Sequence, residues 1–338
     1  MLLINRPDTV GSAKNERQEN IHGDMTERTI MNYVTGTTKF HMEGPCAVSL
    51  GKFDGFHRGH QKLLGRVLVR KEQGLSAVLF TFATNPTRML SGLSGQNIMT
   101  NEERRLLLER AGVDHLLECP FVPEISLMEP ERFVREVLVG QLKAAFVAAG
   151  EDFRFGHQRK GDARMLERMG RSCGFQVEIV EKEKSHNRDI SSTYVREALH
   201  EGNIPLANNL LGYRYFVGGE VVHGRQIGRT LGLPTINFLP APEKLLPPNG
   251  VYLTRTTVDG EVYYGITNIG YKPTVGADAR KGVETYLFDY NGDLYGQYLN
   301  VEFLEYERPE QKFRSLEELK ARILSDVHWG KSKIYVKS

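Results

Sequence analysis

The stretch GKFDGFHRGH, residues 51–60, lies between an apolar run and a helical pattern. The run before it, residues 47–50, predicts a buried strand, and leucine and valine at helical spacing predict a helix over 59–71. Glycines let the backbone approach a ligand closely, and the N-terminus of a helix offers free N–H donors. The stretch therefore predicts an anion site in which His57 and His60 point the same way.

Three interpretations of the two histidines stay open on these residues alone. Imidazoles on a first helical turn can donate hydrogen bonds to phosphate oxygens as charge builds up in a transition state. His-x-x-His is also half of a zinc site, although no cluster of cysteines or histidines supplies the remaining ligands. The third interpretation is a pair of ordinary surface histidines, which the surrounding glycines make the less favoured one.

Apolar runs of strand type alternate with helical patterns from about residue 40 to 212. SAVLFTF at 76–82 is continuous, as in a buried parallel strand, and a capping box from Thr100 to Glu103 opens a helix that Gly112 ends. Further strands are predicted at 115–119, 144–149 and 174–181. This alternation predicts a Rossmann-like parallel α/β sheet, whose ligands bind beyond the carboxyl ends of the strands.

After residue 212 the sequence becomes rich in glycine and in β-forming residues. Asp259-Gly260 and Asn291-Gly292 stand between alternating strands and predict tight hairpins within an antiparallel β-barrel. A last helix is predicted from a cap at Ser315 to about residue 327. The fold class is therefore α/β plus β. The expected division is a disordered extension over 1–30, an α/β domain over 31–211, and a barrel domain with a terminal helix over 212–338.

The composition argues against several function classes. Of 338 residues, 40% are hydrophobic and 25% charged, and the net charge of +2 gives no bias toward nucleic acid or a membrane surface. No apolar stretch approaches the ~20 residues needed to cross a bilayer. Three separated cysteines, Cys46, Cys119 and Cys173, fit a reducing compartment. We expect a cytoplasmic protein with small-molecule partners and with no nucleic acid, membrane or obligate protein partner.

The first thirty residues are polar, lack periodicity and contain no hydrophobic core of signal-peptide length. We interpret them as a disordered extension or as the result of an upstream start, with Met25 or Met31 as alternative starts. An ordered cap is the other interpretation.

A second candidate site follows from GRQIGRTLGLPTIN, residues 224–237. A loop so rich in glycine can close over a phosphate chain with its N–H groups, and the chain has no Gly-x4-Gly-Lys-Ser/Thr motif that would do so instead. Thr235 and Asn237, two apart on an extended segment, face the same way and offer neutral oxygens suited to Mg²⁺. A plain glycine-rich hairpin is the alternative.

Glu284 in VETYLFDY shares a predicted strand face with Tyr286 and Phe288. A carboxylate on an aromatic face is costly unless it is paired or functional. It could accept the proton of a substrate hydroxyl that attacks a phosphoryl group. A salt bridge to Arg280 or Lys281 is the other interpretation.

Three stretches resemble one known module, in its order. Gly-x-Phe-Asp-Gly-x-His-x-Gly-His at 51–60 contains the His-x-Gly-His signature of the nucleotidylyltransferase superfamily and looks like the adenylyltransferase module of bacterial FAD synthetases. GEDFRFG at 150–156 and ISSTYVR at 190–196 are similar to its second and third motifs. TFATNP at 81–86 departs from the usual Thr-Phe-Asp-Pro-His-Pro, with Ala83 and Asn85 in place of polar partners.

The resemblance implies a role for each matching position. The two histidines would bind the phosphates of a nucleoside triphosphate, and Asp152 would lie near the nucleotide or the flavin. Ser192, Thr193 and Arg196 would contact the ATP phosphates, and hydroxyls at a helix start with an arginine one turn later do suit a phosphate clamp. Taken alone, the serines and threonine would be an ordinary helix cap. The remaining binding positions would be Gly51, Phe53, Asp54, Gly55 and Gly59.

The C-terminal half resembles the riboflavin kinase barrel. The matching segments are GRTLGLPTIN, PPNGVY, NIGYKPT, VETYLFDY and RPEQKFRSLEEL. The resemblance implies that Thr235 and Asn237 hold Mg²⁺ with ATP and that Glu284 is the catalytic base. The other substrate-binding positions would be Gly224, Gly228, Arg229, Gly232, Asn268 and Arg308.

Together the two resemblances identify the chain as a member of the bifunctional riboflavin kinase/FMN adenylyltransferase family. The family reaction phosphorylates riboflavin with ATP and then adenylylates FMN, giving FAD and pyrophosphate without a covalent enzyme intermediate. Two narrower functions were weighed against this one: a nucleotidylyltransferase for another substrate whose barrel only binds flavin, and a non-catalytic flavin carrier. Intact Thr235, Asn237 and Glu284 argue against the first, and the complete set of phosphate-binding residues argues against the second.

Overall fold

A computed structural model describes residues 30–83, 96–224, 228, 232–272 and 280–335. Within these ranges the chain forms two six-stranded sheets of different type, one parallel and one antiparallel. The predicted fold class, α/β followed by a β-barrel, is therefore confirmed. Three sequence-based expectations lie outside the described residues: the disorder of 1–29, the role of Arg229, and the second half of the TFATNP segment, residues 84–86.

The first sheet is entirely parallel. Its strands are β1 (Asn32–Thr35), β2 (Cys46–Leu50), β3 (Ser76–Phe82), β4 (His115–Cys119), β5 (Ala144–Gly150) and β8 (Gln176–Val180). Their order across the sheet is β1-β4-β3-β2-β5-β8, so the chain moves outward from β2 first in one direction and then in the other. The side chains of β2 are buried along its whole length because helices cover both faces of the sheet. The reversal of direction beside β2 is where such sheets bind ligands.

Helices connect these strands. They are α1 (Arg58–Leu68), which continues as a tighter turn over Val69–Gln73, α2 (Asn101–Arg110), α3 (Pro123–Ser126), α4 (Pro130–Arg132), a wider-turned stretch over Phe133–Gln141, and α5 (Ala163–Cys173). The predicted capping box of α2 is present: the Glu103 N–H donates to the Thr100 hydroxyl at 3.2 Å, and the Thr100 N–H donates to the Glu103 carboxylate at 2.9 Å. Gly112 follows α2 in the left-handed conformation that ends helices.

Two small antiparallel pairs, a short turn and two further helices complete this part of the chain. They are β6 (Arg154–Phe155) with β7 (Gly161–Asp162), the turn His157–Arg159, β9 (Lys184–Ser185) with β10 (Arg188–Asp189), α6 (Ser192–His200) and α7 (Ile204–Leu211).

The second sheet is a nearly closed antiparallel barrel. Its strands are β11 (Phe216–Glu220), β12 (Thr235–Phe238), β13 (Gly250–Val258), β14 (Glu261–Lys272), β15 (Arg280–Leu287) and β16 (Tyr298–Pro309). They pair in the order β11-β16-β13-β14-β15-β12. The end strands meet through one bridge, in which the Val222 N–H donates to the Asn237 carbonyl at 2.8 Å. This bridge brings the start of the glycine-rich loop next to β12.

One of the two predicted hairpins is present. Val258 pairs with Glu261, and Asp259 and Gly260 between them have φ values of 49° and 87°, as a two-residue hairpin turn requires. The prediction for Asn291-Gly292 is wrong, because the strands on either side of it do not pair with each other. β15 pairs with β12 and β14, whereas β16 pairs with β11 and β13.

The terminal helix α8 (Leu316–Tyr335) begins where it was predicted, with the Glu318 N–H donating to the Ser315 hydroxyl at 3.2 Å. It ends well after the predicted position near 327. The extra turns carry Trp329 and Ile334, which pack against an apolar face of the barrel that includes Phe288. Tertiary packing therefore extends the helix beyond the point at which its apolar periodicity weakens.

Helices α6 and α7 share an apolar cluster with the barrel. Side chains of α6 and α7, among them Val195, Leu199 and Leu210, pack in the same cluster as Tyr252 and Phe303 of the barrel. The barrel is thus held to α6 and α7 by buried contacts. The Tyr213 hydroxyl, just after α7, donates at 2.8 Å to the Gly55 carbonyl in the loop that carries the two histidines.

Candidate active sites

The loop after β2 has an unusual backbone. Phe53 and Phe56 have positive φ values of 47° and 36°, and Gly55 between them has 83°. Side-chain-bearing residues adopt such angles rarely, and they do so where the surrounding structure enforces them. A side chain at Gly55 would also lie within 2.9 Å of Ile98. Glycine is therefore required at position 55 for two reasons: the backbone has a positive φ, and there is no room for a Cβ atom.

The two predicted histidines stand together at the start of α1. His57 is the N-cap residue, and its ring stacks on that of His60 with 3.7 Å between ring centres. The Nδ1 atoms of both rings are buried and have no hydrogen-bond partner in the described part of the chain. The expectation that they point the same way is confirmed, and two unsatisfied ring nitrogens are suited to a polar ligand.

Burial keeps both imidazoles neutral. It lowers the pKa of His57 from 6.5 to about 4, in spite of the nearby Asp54 carboxylate. Burial and then the adjacent His57 lower the pKa of His60 well below 6.5. At neutral pH each ring therefore carries one N–H donor and no net charge.

Asp54 connects the loop to two other segments. Its carboxylate is buried, pairs with the Arg196 guanidinium and accepts the Ile98 N–H at 2.9 Å. Its backbone carbonyl accepts the Ser192 hydroxyl at 2.7 Å. The first sequence motif therefore contacts the third directly, through Asp54.

The remaining N-terminal positions lie at the same edge of the sheet. Gly51 follows β2 and Asp152 follows β5, and these two parallel strands are neighbours. Asp152 is exposed and pairs with Lys182 at 3.1 Å. Thr193 is exposed on the first turn of α6. Ser191, one residue earlier than the predicted hydroxyl pair, is the N-cap of that helix and accepts the Tyr194 N–H at 3.2 Å.

The second candidate site lies on three adjacent barrel strands. In the strand register Glu284 of β15 is opposite both Asn237 of β12 and Asn268 of β14. The Thr235 hydroxyl donates to Oε1 of Glu284 at 2.8 Å, and Asn237 Nδ2 lies 3.3 Å from the same hydroxyl. The prediction that Thr235 and Asn237 face the same way is confirmed. Lys281, which with Arg280 is an alternative partner for Glu284, lies 5.8 Å from the Tyr271 ring.

A cavity of about 620 Å³ opens beside these residues. Most of the predicted barrel positions line it: Gly224, Gly228, Thr235, Asn237, Asn268, Glu284 and Arg308. A smaller hollow of about 370 Å³ lies next to it and is lined by Gly232. Thr235 and Asn237 line both cavities, so they stand where the two meet.

The far wall of the larger cavity contains a buried ion pair. The Arg308 guanidinium donates to the Asp326 carboxylate of α8 with an Nε–Oδ1 distance of 2.9 Å. Burial and the adjacent Asp326 raise the pKa of Glu307 to about 7. Arg308 lines this cavity, and its contact with a substrate stays a prediction. Asp326 was not predicted, because on a helix it reads as a solvated acidic residue.

The oxygen donors of the second site suit a magnesium ion. Mg²⁺ is usually held by one or two protein oxygens together with water and substrate phosphates. The Thr235 hydroxyl, the Asn237 amide and the Glu284 carboxylate form such a set within one hydrogen-bonded group. Among the described residues there is no cluster of three or more His, Cys, Asp or Glu side chains that could hold a metal.

Comparison with known proteins gives the identity of the chain. A family model described as FAD synthetase matches residues 39–194, and a model described as riboflavin kinase matches 211–334. The bifunctional riboflavin kinase/FMN adenylyltransferase of Escherichia coli (strain K12) is 37% identical over 284 residues, which cover 83% of this chain and 90% of the relative. Its Bacillus subtilis (strain 168) counterpart is 35% identical over 285 residues, which cover 82% and 89%.

The chain belongs to the bifunctional riboflavin kinase/FMN adenylyltransferase family. It carries a FAD synthetase region followed by a riboflavin kinase region and is a bifunctional transferase of FAD biosynthesis, as the motifs predicted. The histidine loop lies in the first region, and the Thr235–Glu284 group lies in the second.

A solved structure shares the whole arrangement. It is a Streptococcus pneumoniae protein described as a macrolide-efflux protein, with a TM-score of 0.79 and 29% sequence identity, and the match covers 89% of this chain and 99% of that one. The likeness therefore includes both sheets. In the described part of this chain, no helix combines the length and the apolar character that crossing a membrane requires.

Proposed function

We propose that the two reactions take place at the two sites described above, each built by its own region. Residues 31–211 would form the adenylyltransferase unit and 212–338 the kinase unit. The observation that carries the proposal is the separation of the two polar clusters. The stacked histidines lie at the edge of the parallel sheet, and the Thr235–Glu284 group lies on the barrel.

In the kinase reaction Glu284 acts as the general base. It accepts the proton of the riboflavin 5′-hydroxyl as that oxygen attacks the γ-phosphorus of ATP, and ADP leaves. The Thr235 hydroxyl holds one carboxylate oxygen of Glu284 at 2.8 Å and so fixes its orientation. The larger cavity, with Val251, Ile266 and other apolar side chains, suits the flavin ring, and the smaller one suits the nucleotide.

Thr235 and Asn237 would hold Mg²⁺ where the two cavities meet. When bound there, the ion neutralises charge on the ATP phosphates. The supporting observation is the chemistry of the donors, which are neutral oxygens next to one carboxylate. Gly224 lies directly against the Asn237 side chain, where a Cβ atom would come within 2.7 Å of Asn237 Cγ, so glycine permits this close approach of the loop to the strand.

In the adenylyl transfer a phosphate oxygen of FMN attacks the α-phosphorus of ATP, and the bond to the bridging oxygen breaks to release pyrophosphate. His57 and His60 donate hydrogen bonds from neutral rings to phosphate oxygens as charge develops. Ser192, Thr193 and Arg196, at the start of α6, contribute further donors. FMN made at the barrel is the substrate of this second step, so we expect small-molecule partners and a cytoplasmic enzyme.

Chromatography of the products tests the assignment. Riboflavin with ATP and Mg²⁺ should yield FMN and then FAD, and FMN with the same reagents should yield FAD and pyrophosphate. FMN accumulation without FAD would refute the role given to the histidine loop. FAD formation from FMN alone, with riboflavin left unphosphorylated, would refute the role given to the barrel.

A further inference from the structure

One ion pair between helix α2 and the barrel region is almost fully enclosed. The ammonium group of Lys244, which follows β12, donates to a Glu103 carboxylate oxygen at 2.6 Å, and both side chains are 2% exposed. The other Glu103 oxygen accepts the Gly218 N–H of β11 at 3.1 Å. Burial lowers the pKa of Lys244, whereas the adjacent Glu103 opposes that shift. A buried pair of this kind adds little net stability, so its place in the fold calls for another explanation.

The backbone around Lys244 is paired with residues 96–98, the segment that precedes the capping box of α2. The Asn97 N–H donates to the Glu243 carbonyl at 2.6 Å, and the Leu245 N–H donates to the Asn97 carbonyl at 2.7 Å. The Lys244 ammonium group also donates to the Ile98 carbonyl at 2.8 Å. Three hydrogen bonds therefore connect residues 97 and 98 to the barrel region.

The same segment holds the adenylyl-transfer site from its other side. The Ile98 N–H donates to Asp54, the Ile98 side chain packs on Gly55, and the Gln96 carbonyl accepts from Arg196 at 3.3 Å. The Ile98 peptide backbone thus lies between a lysine of the barrel region and the carboxylate that orients Arg196.

We propose that Lys244 is a positioning residue for adenylyl transfer: it fixes Ile98, which in turn fixes Asp54 and Arg196 at the phosphate-binding edge of the other domain. The proposal rests on the proposed function of Asp54 and Arg196. On this proposal, a residue in the kinase half of the sequence affects adenylyl transfer in the other half.

Lys244→Met in the full-length chain is the principal test. Methionine keeps the unbranched apolar stem, one atom shorter, but cannot donate to Ile98 or Glu103. We expect kcat/KM for FMN adenylylation to fall about tenfold or more, and riboflavin phosphorylation to change less than about twofold. Hydrogen exchange should accelerate at the Asn97 and Ile98 amides, and Lys244→Arg, which keeps a charged donor, should recover most of the lost activity.

Arg255→Met is the matched control. It breaks the Arg255–Glu302 pair, whose atoms lie 2.6 Å apart within the barrel and touch neither site. Both activities should stay within about twofold of wild type. If Lys244→Met leaves adenylyl transfer unchanged, or lowers both reactions equally, Lys244 has only a structural role and the proposal is overturned.

Two more variants keep the test decisive. Should Lys244→Met fail to fold because Glu103 is left buried without its cation, the double variant Lys244→Met/Glu103→Gln removes both charges and still lacks the donor to Ile98. It should show the same loss, and full adenylyl transfer in it would overturn the proposal. Arg196→Ala distinguishes this proposal from the assignment of the site itself. If Arg196→Ala keeps full adenylyl transfer, the assignment of the site is refuted. If Arg196→Ala loses adenylyl transfer and the Lys244 variants keep it, only the role of Lys244 is refuted.

Discussion

The Thr235 hydroxyl and the Glu284 carboxylate are hydrogen-bonded at 2.8 Å across the neighbouring strands β12 and β15. This places the candidate general base and a candidate metal-holding group in one unit. The unit lies where two cavities meet, which is the arrangement that transfer between two bound substrates requires.

Glu284→Gln should abolish the kinase reaction selectively. The amide keeps the shape of the side chain but cannot accept the hydroxyl proton, and loss of a general base typically costs about 10²–10⁴ in rate. FMN formation from riboflavin should fall at least about a hundredfold, while conversion of supplied FMN to FAD stays within about twofold. Separate assays with riboflavin and with FMN measure both; an equal loss in the two would contradict independent sites.

Thr235→Val and Thr235→Ser form a matched pair at the same position. Valine keeps the branched shape and loses the hydroxyl that orients Glu284, whereas serine keeps the hydroxyl. We expect Thr235→Val to lower kinase kcat/KM about tenfold to a hundredfold and Thr235→Ser to stay within a few fold of wild type. If Thr235→Ser is as impaired as Thr235→Val, the packing of the side chain and not its hydroxyl determines kinase kcat/KM.

His57→Ala combined with His60→Ala should give the opposite selectivity. Each ring supplies one donor from a neutral imidazole, and removing one such donor typically costs about 10²–10³ in rate. FAD synthesis from FMN should therefore fall at least about a hundredfold, with riboflavin phosphorylation retained. Wild-type FAD synthesis by this variant would refute the interpretation of the loop.

Local sequence patterns predicted most of the architecture. SAVLFTF forms β3 over the range expected, and Asp259-Gly260 forms its hairpin, because in each case the signal and the partner lie close together in the chain. Asn291-Gly292 carries the same signal but joins strands that pair with others, so long-range strand order overrides the turn preference. The terminal helix extends past its prediction for a similar reason, since the barrel face supplies the packing.

Site residues could be predicted from the sequence where they belong to a recognisable motif. Thr235, Asn237 and Glu284 were identified from two segments, and the strand register brings them together. Lys244 and Asp326 were not identified, because a lysine in a loop and an aspartate on a helix carry no signal of burial. Their partners, Glu103 and Arg308, lie 141 and 18 residues away, and only the folded structure shows the pairs.

The pKa of His57 predicts how stability depends on pH. In the folded protein this pKa is about 4, against 6.5 for an exposed imidazole. The unfolded chain therefore binds the proton first as the pH falls. The stability that the neutral ring contributes is complete above pH 6.5 and is lost as the pH falls through 4. The loss amounts to about 3 kcal/mol, since one pKa unit corresponds to about 1.4 kcal/mol.

Urea denaturation of wild type and of His57→Gln at pH 7, 5.5 and 4 measures this effect. Glutamine carries no charge at any of these values, so the variant should lose less stability on acidification. The free energy of unfolding of wild type relative to the variant should fall by about 3 kcal/mol from pH 7 to pH 4. The carboxylates and the histidines that do not contact residue 57 are common to both proteins and largely cancel in the difference. A difference that does not change with pH would mean that the His57 ring is not protected from protonation in the folded enzyme.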